Sequence, residues 1–165
     1  MKIVDSSCLI CIFGEINKPF ILFDWIKRGY QIVITEQVYR ELQKNNNTLK
    51  RVDPYIRKGD IQVKNLINEK EFILFKNRYH PMLGEGEISV ILTAINLEKQ
   101  GKRYYAVIDD KKARKIAEEE GIKLTGTYGL LKKLMEKEII KEEKFNLCKN
   151  IMDKSNFRIN FDKIK

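Results

Sequence analysis

Apolar residues along the chain come in short continuous runs separated by stretches with helical spacing, and this alternation predicts the order of elements. Ile3-Val4 reads as a short strand, followed by a helix over 6–13 that Ser6 or Ser7 begins and Gly14 stops. A second helix is expected over 20–28, ended by Gly29. Gln31-Ile32-Val33-Ile34 is a β-branched strand run, and Thr35 after it caps a helix carrying Val38, Glu41 and Leu42. Residues 49–58 have helical spacing broken near Asp53-Pro54, and Ile61-Gln62-Val63 alternates as a strand does.

Asn68, with Glu71 three residues on, forms a capping-box signature for a helix running to Phe75. Pro81, Gly84 and Gly86 interrupt the chain in "HPMLGEGE", and a long helix is expected over 87–99. Residues 104–108 form a buried-strand run, 111–120 a helix ended by Gly121, 122–124 a strand and 128–137 the last clear helix. Beyond 141 the pattern weakens, although Phe145, Leu147, Ile151, Met152 and Phe157 suit a further helix and an edge element. Continuously apolar strands separated by helices predict an α/β fold with a mostly parallel sheet covered on both faces. Residues 104–124 make one βαβ crossover.

Composition narrows the class. With 165 residues, 43% hydrophobic and 33% charged, the chain is expected to fold as one domain rather than remain disordered. Its longest apolar stretches, such as 8–13, fall far short of the roughly 20 residues a membrane span needs, and residues 1–3 lack a signal-like segment. A soluble cytoplasmic protein without membrane contact is the expectation. The net charge of +9 is uneven: residues 1–110 carry 17 basic and 14 acidic side chains, residues 111–165 carry 15 and 9. Such an excess favours a polyanionic partner, nucleic acid above all, although a lysine-rich solubilising surface accounts for the same charge.

Three cysteines, an odd number, argue against a disulfide framework. Cys8-Leu9-Ile10-Cys11 has redox-motif spacing but no room for a preceding βα unit, and a zinc site would have only Cys148 and His80 to draw on. Core cysteines are expected. Lone His80 has no nucleophile and third group to work with.

Carboxylates carry the chemistry. Two strands end in acid, one at Asp5 and one at Asp109-Asp110, and the carboxyl ends of parallel strands share the edge where open α/β folds bind ligands. Glu41 sits beside Leu42, and Glu87 shares a helical stripe with Ile91, Ala94 and Ile95, each at the rim of an apolar face where an unpaired charge is costly. Lys or Arg partners would explain either Glu alone. Converging carboxylates would repel one another, and a divalent cation relieves that; hard oxygen ligands without His or Cys favour Mg²⁺ or Mn²⁺.

Asp5-Ser6-Ser7, Glu41 in "VYREL", Glu87 in "LGEGEISVILTA" and the acids of "VIDDKKARKIAEEEGIKLTGTYGLL" together resemble the PIN-domain family of metal-dependent nucleases. The last two stretches look like short prokaryotic PIN proteins with a GE-headed helix and a GTxG turn, here Gly126-Thr127-Tyr128-Gly129. The implied fold is a three-layer α/β/α domain over 1–140, with a mostly parallel sheet of four to five strands. Residues 141–165 are an extension packed on the domain or on a partner, as Phe145, Phe157 and Phe161 suggest.

The implied activity is hydrolysis of RNA phosphodiesters with Mg²⁺ or Mn²⁺ held by Asp5, Glu41, Glu87 and Asp110. Asp109 adds to the negative field or an outer metal shell; Asp110 is preferred because it directly precedes the "KKAR" helix. Glu87 is preferred to Glu85, which shares the side of Ser89, Thr93 and Asn96. Ser6 either touches phosphate or a metal-bound water or caps its helix, and Thr127 either supports the site or caps. Lys111, Lys112 and Arg114 are candidate phosphate contacts. Many short prokaryotic PIN proteins are toxins of toxin–antitoxin pairs, so an antitoxin partner and a homodimer are also implied. A non-catalytic PIN-like module binding RNA or protein is the alternative; a phosphoacceptor domain is disfavoured because the first strand offers a single acid and Ile61-Gln62-Val63-Lys64 ends without one.

Overall fold

Two central strands organise the molecule. β1 (Lys2–Val4) and β4 (Tyr105–Val107) run parallel with Val4 opposite Val107, and the Asp5 amide donates to the Val107 carbonyl at 3.1 Å where β1 ends. The computed structural model describes residues 1–16 and 22–155. It places β2 (Ile32–Thr35) and β3 (Ile61–Lys64) beyond β1, and β5 (Leu124–Thr125) beyond β4. Among the described residues the sheet therefore has five strands, ordered β3-β2-β1-β4-β5 and all parallel. Every residue of β1 and β2 is buried, which explains why Ile3-Val4 and Ile32-Val33-Ile34 are continuously apolar instead of alternating, although buried Lys2 and Thr35 stand at the strand ends.

Helices cover the sheet to give the three-layer α/β/α arrangement: α1 (Ser6–Ile10), α2 (Leu22–Gly29), α3 (Glu36–Lys44), α4 (Asn46–Arg57), α5 (Glu69–Tyr79), α6 (Glu85–Lys99), α7 (Lys111–Glu119), α8 (Thr127–Glu136) and α9 (Glu142–Lys154). α6 packs on β1, β2 and β4. From β1 the chain proceeds outward to β2 and β3; β4 then returns to the other flank of β1 and continues to β5. Neighbouring strands whose continuations leave in opposite directions form a topological switch point, and a ligand crevice opens at their carboxyl ends. Asp5 and Asp109-Asp110 follow those two ends.

The chain departs from the sequence expectation in several places. Gly14 does not stop the first helix, which widens into a π-helical stretch over Cys11–Ile16. A glycine inside a helix costs about 1 kcal/mol, less than the roughly 1.5–3 kcal/mol from burying each large apolar side chain, and Phe13 and Ile16 on either side are fully buried. Pro54 likewise lies within α4 without ending it: buried Val52 and the bond from Arg51 Nη1 to the Phe13 carbonyl, 2.7 Å, hold that helix in place. The N-cap of α1 is Asp5 itself, not Ser6 or Ser7.

The weak pattern after 141 resolves into α9, whose Phe145, Cys148 and Met152 are buried against the rest of the domain. The start expected for the second helix, at 20–21, and Phe157 and Phe161 lie outside the described residues. Among those described, no helix is long and apolar enough to cross a membrane.

Candidate active site

Asp5 has one oxygen held and one bare. Its Oδ2 accepts from the Ser7 hydroxyl at 2.5 Å and the Ser7 amide at 3.3 Å, whereas Oδ1 is buried without a hydrogen-bond partner among the described residues. The residue is only 1% exposed. Burial drives its pKa up to about 6, the Glu41 charge pushes the same way, and the Ser7 bonds oppose both.

Glu41 reaches the site because Thr35 caps α3, its hydroxyl accepting from the Val38 amide at 3.2 Å, and because buried Val38 and Leu42 fix the helix face. The Ser6 hydroxyl donates to Glu41 Oε2 at 2.6 Å, and the Gly86 amide at the start of α6 donates to Oε1 at 2.8 Å. The approach is so close that a Cβ on Gly86 would stand 2.7 Å from Glu41 Cδ. The glycine between the acids of "GEGE" therefore makes room for a carboxylate from another helix.

Glu87 Oε2 accepts from the Gly84 amide at 2.9 Å, closing the first turn of α6. Its pKa is pushed up to about 7, first by burial and then by the negative charges of Asp5, Asp110 and Glu41, with the Gly84 amide opposing. Glu85 is engaged elsewhere: its bond to Lys76 of α5 holds its pKa below the usual range, and Lys44 and Arg40 add to that effect. The side of α6 that Glu85 is expected to share is not a solvated polar stripe: Ser89 and Thr93 are buried, and the Ser89 hydroxyl donates to the Gly86 carbonyl.

Beyond β4 the two aspartates serve different neighbours. Asp109 Oδ1 accepts from the Thr127 amide at 2.8 Å; its Oδ2 accepts from the Thr127 hydroxyl at 2.5 Å and lies 3.1 Å from Cys8 Sγ. A Cβ on Gly126 would stand 2.6 Å from Asp109 Oδ1, so "GTxG" is the receiving half of a clasp between the end of β4 and the start of α8. Asp110 instead caps α7, its Oδ1 accepting from the Lys112 and Ala113 amides at 2.8 and 2.9 Å, and its charge is one of those that Glu87 feels.

The structure thus brings Asp5, Glu41, Glu87 and Asp110 into one electrostatic neighbourhood and ties Asp109 to α8. Of the five candidate substrate contacts, Ser6 gives its hydroxyl to Glu41, Thr127 is fully buried on Asp109, and Arg114 Nη1 donates to the Ile108 carbonyl at 2.8 Å. Lys111 and Lys112 are exposed in the first turn of α7. Cys8, Cys11 and Cys148 are all buried, and His80 is exposed at the end of α5. Sequence reasoning missed Ser7, Gly86, Gly126 and Cys8 as supports of the acids; the small residues beside the acids in "DSS" and "GEGE", and the glycines of the acid-free "GTYG" turn, were the available signal.

Four carboxylates without histidine or thiolate are a hard-oxygen donor set suited to Mg²⁺ or Mn²⁺. Among the described residues no three acidic, cysteine or histidine groups form a ready-made chelate, and protein donors already occupy oxygens of Glu41, Glu87 and Asp110. Asp5 Oδ1 differs from their remaining oxygens in being fully buried without a partner among the described residues, and it lies in the field of Glu41. A cation there satisfies that oxygen, offsets the burial that chiefly raises Asp5 and Glu87, and relieves the smaller repulsion among the acids, so the residues fit a divalent metal in chemistry and charge.

Compared with known proteins, residues 1–165 match a family model described as a PIN domain. No curated protein and no solved structure matches the chain.

Proposed function

The chain belongs to the PIN-domain family, whose members are generally nucleases, and from that premise we propose that it is a Mg²⁺- or Mn²⁺-dependent endoribonuclease. The observation that carries this reading is the buried, unpartnered Oδ1 of Asp5 in the company of Glu41, Glu87 and Asp110. In this reading those four side chains hold the metal, and Asp109 contributes negative field from its clasp with Thr127. When bound, a divalent cation supplies Lewis acidity that activates water and offsets charge on the phosphoryl oxygens.

The chain's own groups prepare that site. Ser6 and the Gly86 amide hold the Glu41 carboxylate from both sides, and the Gly84 amide orients Glu87. Lys111 and Lys112 on one flank, with Arg40 and Lys44 near Glu85 on another, draw the phosphate backbone toward the acids. Cleavage leaves a 5′-phosphate and a 3′-hydroxyl, as in the resembling family. A toxin role, with an antitoxin as protein partner and a homodimer as the assembly, belongs to the same proposal. A non-catalytic RNA-binding module is the second reading, favoured by the protein donors already present on most carboxylate oxygens.

The test is cleavage of single-stranded and structured RNA in Mg²⁺, Mn²⁺ or EDTA by the wild type, Asp5→Asn and Asp110→Asn. Activity is expected to need metal and to fall by at least about 100-fold in either variant, the upper end of what weaker perturbations around a bound metal produce. Full cleavage by both variants refutes the site, cleavage in EDTA refutes the metal, and RNA binding sensitive to salt but indifferent to metal favours the module.

A further inference from the structure

A second cluster of charge lies at the other end of the central strands. A cavity of about 580 Å³ opens at the amino-terminal edge of the sheet, lined by the cations Lys2, Arg103, Lys123, Lys133 and Lys137, by tyrosines including Tyr30 and Tyr105, and by the acid Glu136. Lys123 is matched by Glu98 at 3.3 Å. Among the described residues no carboxylate pairs with Lys2, Lys133 or Lys137. Lys2 is only 4% exposed, and its Nζ lies 3.9 Å from the Tyr105 ring centroid and 4.9 Å from that of Tyr30. Lys133 Nζ stands 4.6 Å over the Tyr105 ring, and Lys137 Nζ 4.6 Å over the Tyr30 ring.

Two tyrosine rings therefore space three ammonium groups around one cavity. A lysine in this setting normally extends its charged end to water, but Lys2 does not. Burying an ammonium group without a carboxylate is costly, and bringing two more close to it adds repulsion. That cost shows in Lys2, whose pKa falls to about 8, chiefly through burial and then through Lys133 and Lys137. Among the described residues the Tyr30 hydroxyl also has no partner, although it is buried. The rings already meet ammonium groups, so the site is built to read negative charge instead of stacking a base, and its volume is that of a small-molecule site.

We propose that this cavity binds a compact polyanion carrying two or more phosphate groups, such as inorganic tripolyphosphate or the phosphate chain of a nucleotide. It is separated from the acid cluster by the length of β1, roughly 10 Å for its three residues. The proposal does not depend on the nuclease reading.

Calorimetric titration of the full chain in EDTA tests it, with tripolyphosphate, ATP and a short single-stranded RNA as probes. Tripolyphosphate and ATP are expected to bind one to one, about ten-fold more weakly to Lys133→Gln and to Lys137→Gln, the loss of one charge-assisted contact. Lys132→Gln, exposed on the same helix, is expected to bind as the wild type does. Should one of the two variants fail to fold, the other decides. Competition by RNA through the same lysines identifies a nucleic-acid backbone as the source of the phosphates; its absence identifies a free phosphorylated molecule. The proposal is overturned by the lack of saturable binding, or by equal weakening in Lys132→Gln.

Discussion

Replacing Asp5 by Asn probes the acid cluster without requiring catalysis. Its pKa rises from 3.8 to about 6, and one pKa unit corresponds to about 1.4 kcal/mol, so keeping Asp5 ionised costs the metal-free folded protein about 3 kcal/mol. Because the folded value is the higher one, the native state keeps a proton that the unfolded chain has already released. The stability tied to Asp5 is thus fully present below about pH 4 and lost as pH rises through about 6. Asparagine does not ionise and escapes that loss. Its carbonyl can still accept from Ser7, while its NH₂ group takes the place of the bare oxygen at a cost of about 1–2 kcal/mol.

At about pH 8 in EDTA the variant should therefore be more stable than the wild type by about 1–2 kcal/mol, or about 2–8 °C in a chain of this size. At about pH 4 the advantage should vanish or reverse. Thermal melts followed by circular dichroism across that range measure it. Adding Mn²⁺ near neutrality should then raise the melting temperature of the wild type and leave the variant's unchanged. Parallel pH profiles, or a variant less stable than the wild type at high pH, would show that Asp5 carries no buried charge and would refute the reasoning.

Gly86→Ala sets propensity against packing: alanine favours a helix by about 1 kcal/mol, but its Cβ meets the Glu41 carboxylate, so a net loss of about 1–3 kcal/mol and weaker Mn²⁺ binding are expected; a higher melting temperature would contradict the contact. Thr127→Val removes a hydroxyl from Asp109 and should cost about 1–3 kcal/mol in urea unfolding, whereas an unchanged midpoint would mean that the clasp on α8 adds no stability.

The amino-acid pattern by itself determined the class of fold, because burial on both faces requires continuously apolar strands, and Ile3-Val4, Ile32-Val33-Ile34 and Ala106-Val107-Ile108 meet that requirement over very short windows. It also put acids at the ends of β1 and β4, since strand ends and helix caps are local signals. Gly14 and Pro54 misled because a breaker acts through its immediate neighbours, while the burial that outweighs it comes from elements elsewhere in the chain.

Only the tertiary structure decided which carboxylate oxygens are taken and that Asp5 Oδ1 is buried without a partner among the described residues. Glu41 meets Gly86 across 45 residues, and Asp109 meets Thr127 across 18. Such pairings leave small residues in the sequence without saying whom they accommodate. The lysine cavity was least legible, for Lys2, Tyr30, Tyr105, Lys133 and Lys137 come from separate parts of the chain, and nothing local marks any of them as lining a common site. Parallel strand order sets them side by side, and the same order sends Asp5 and Asp110 to the opposite edge.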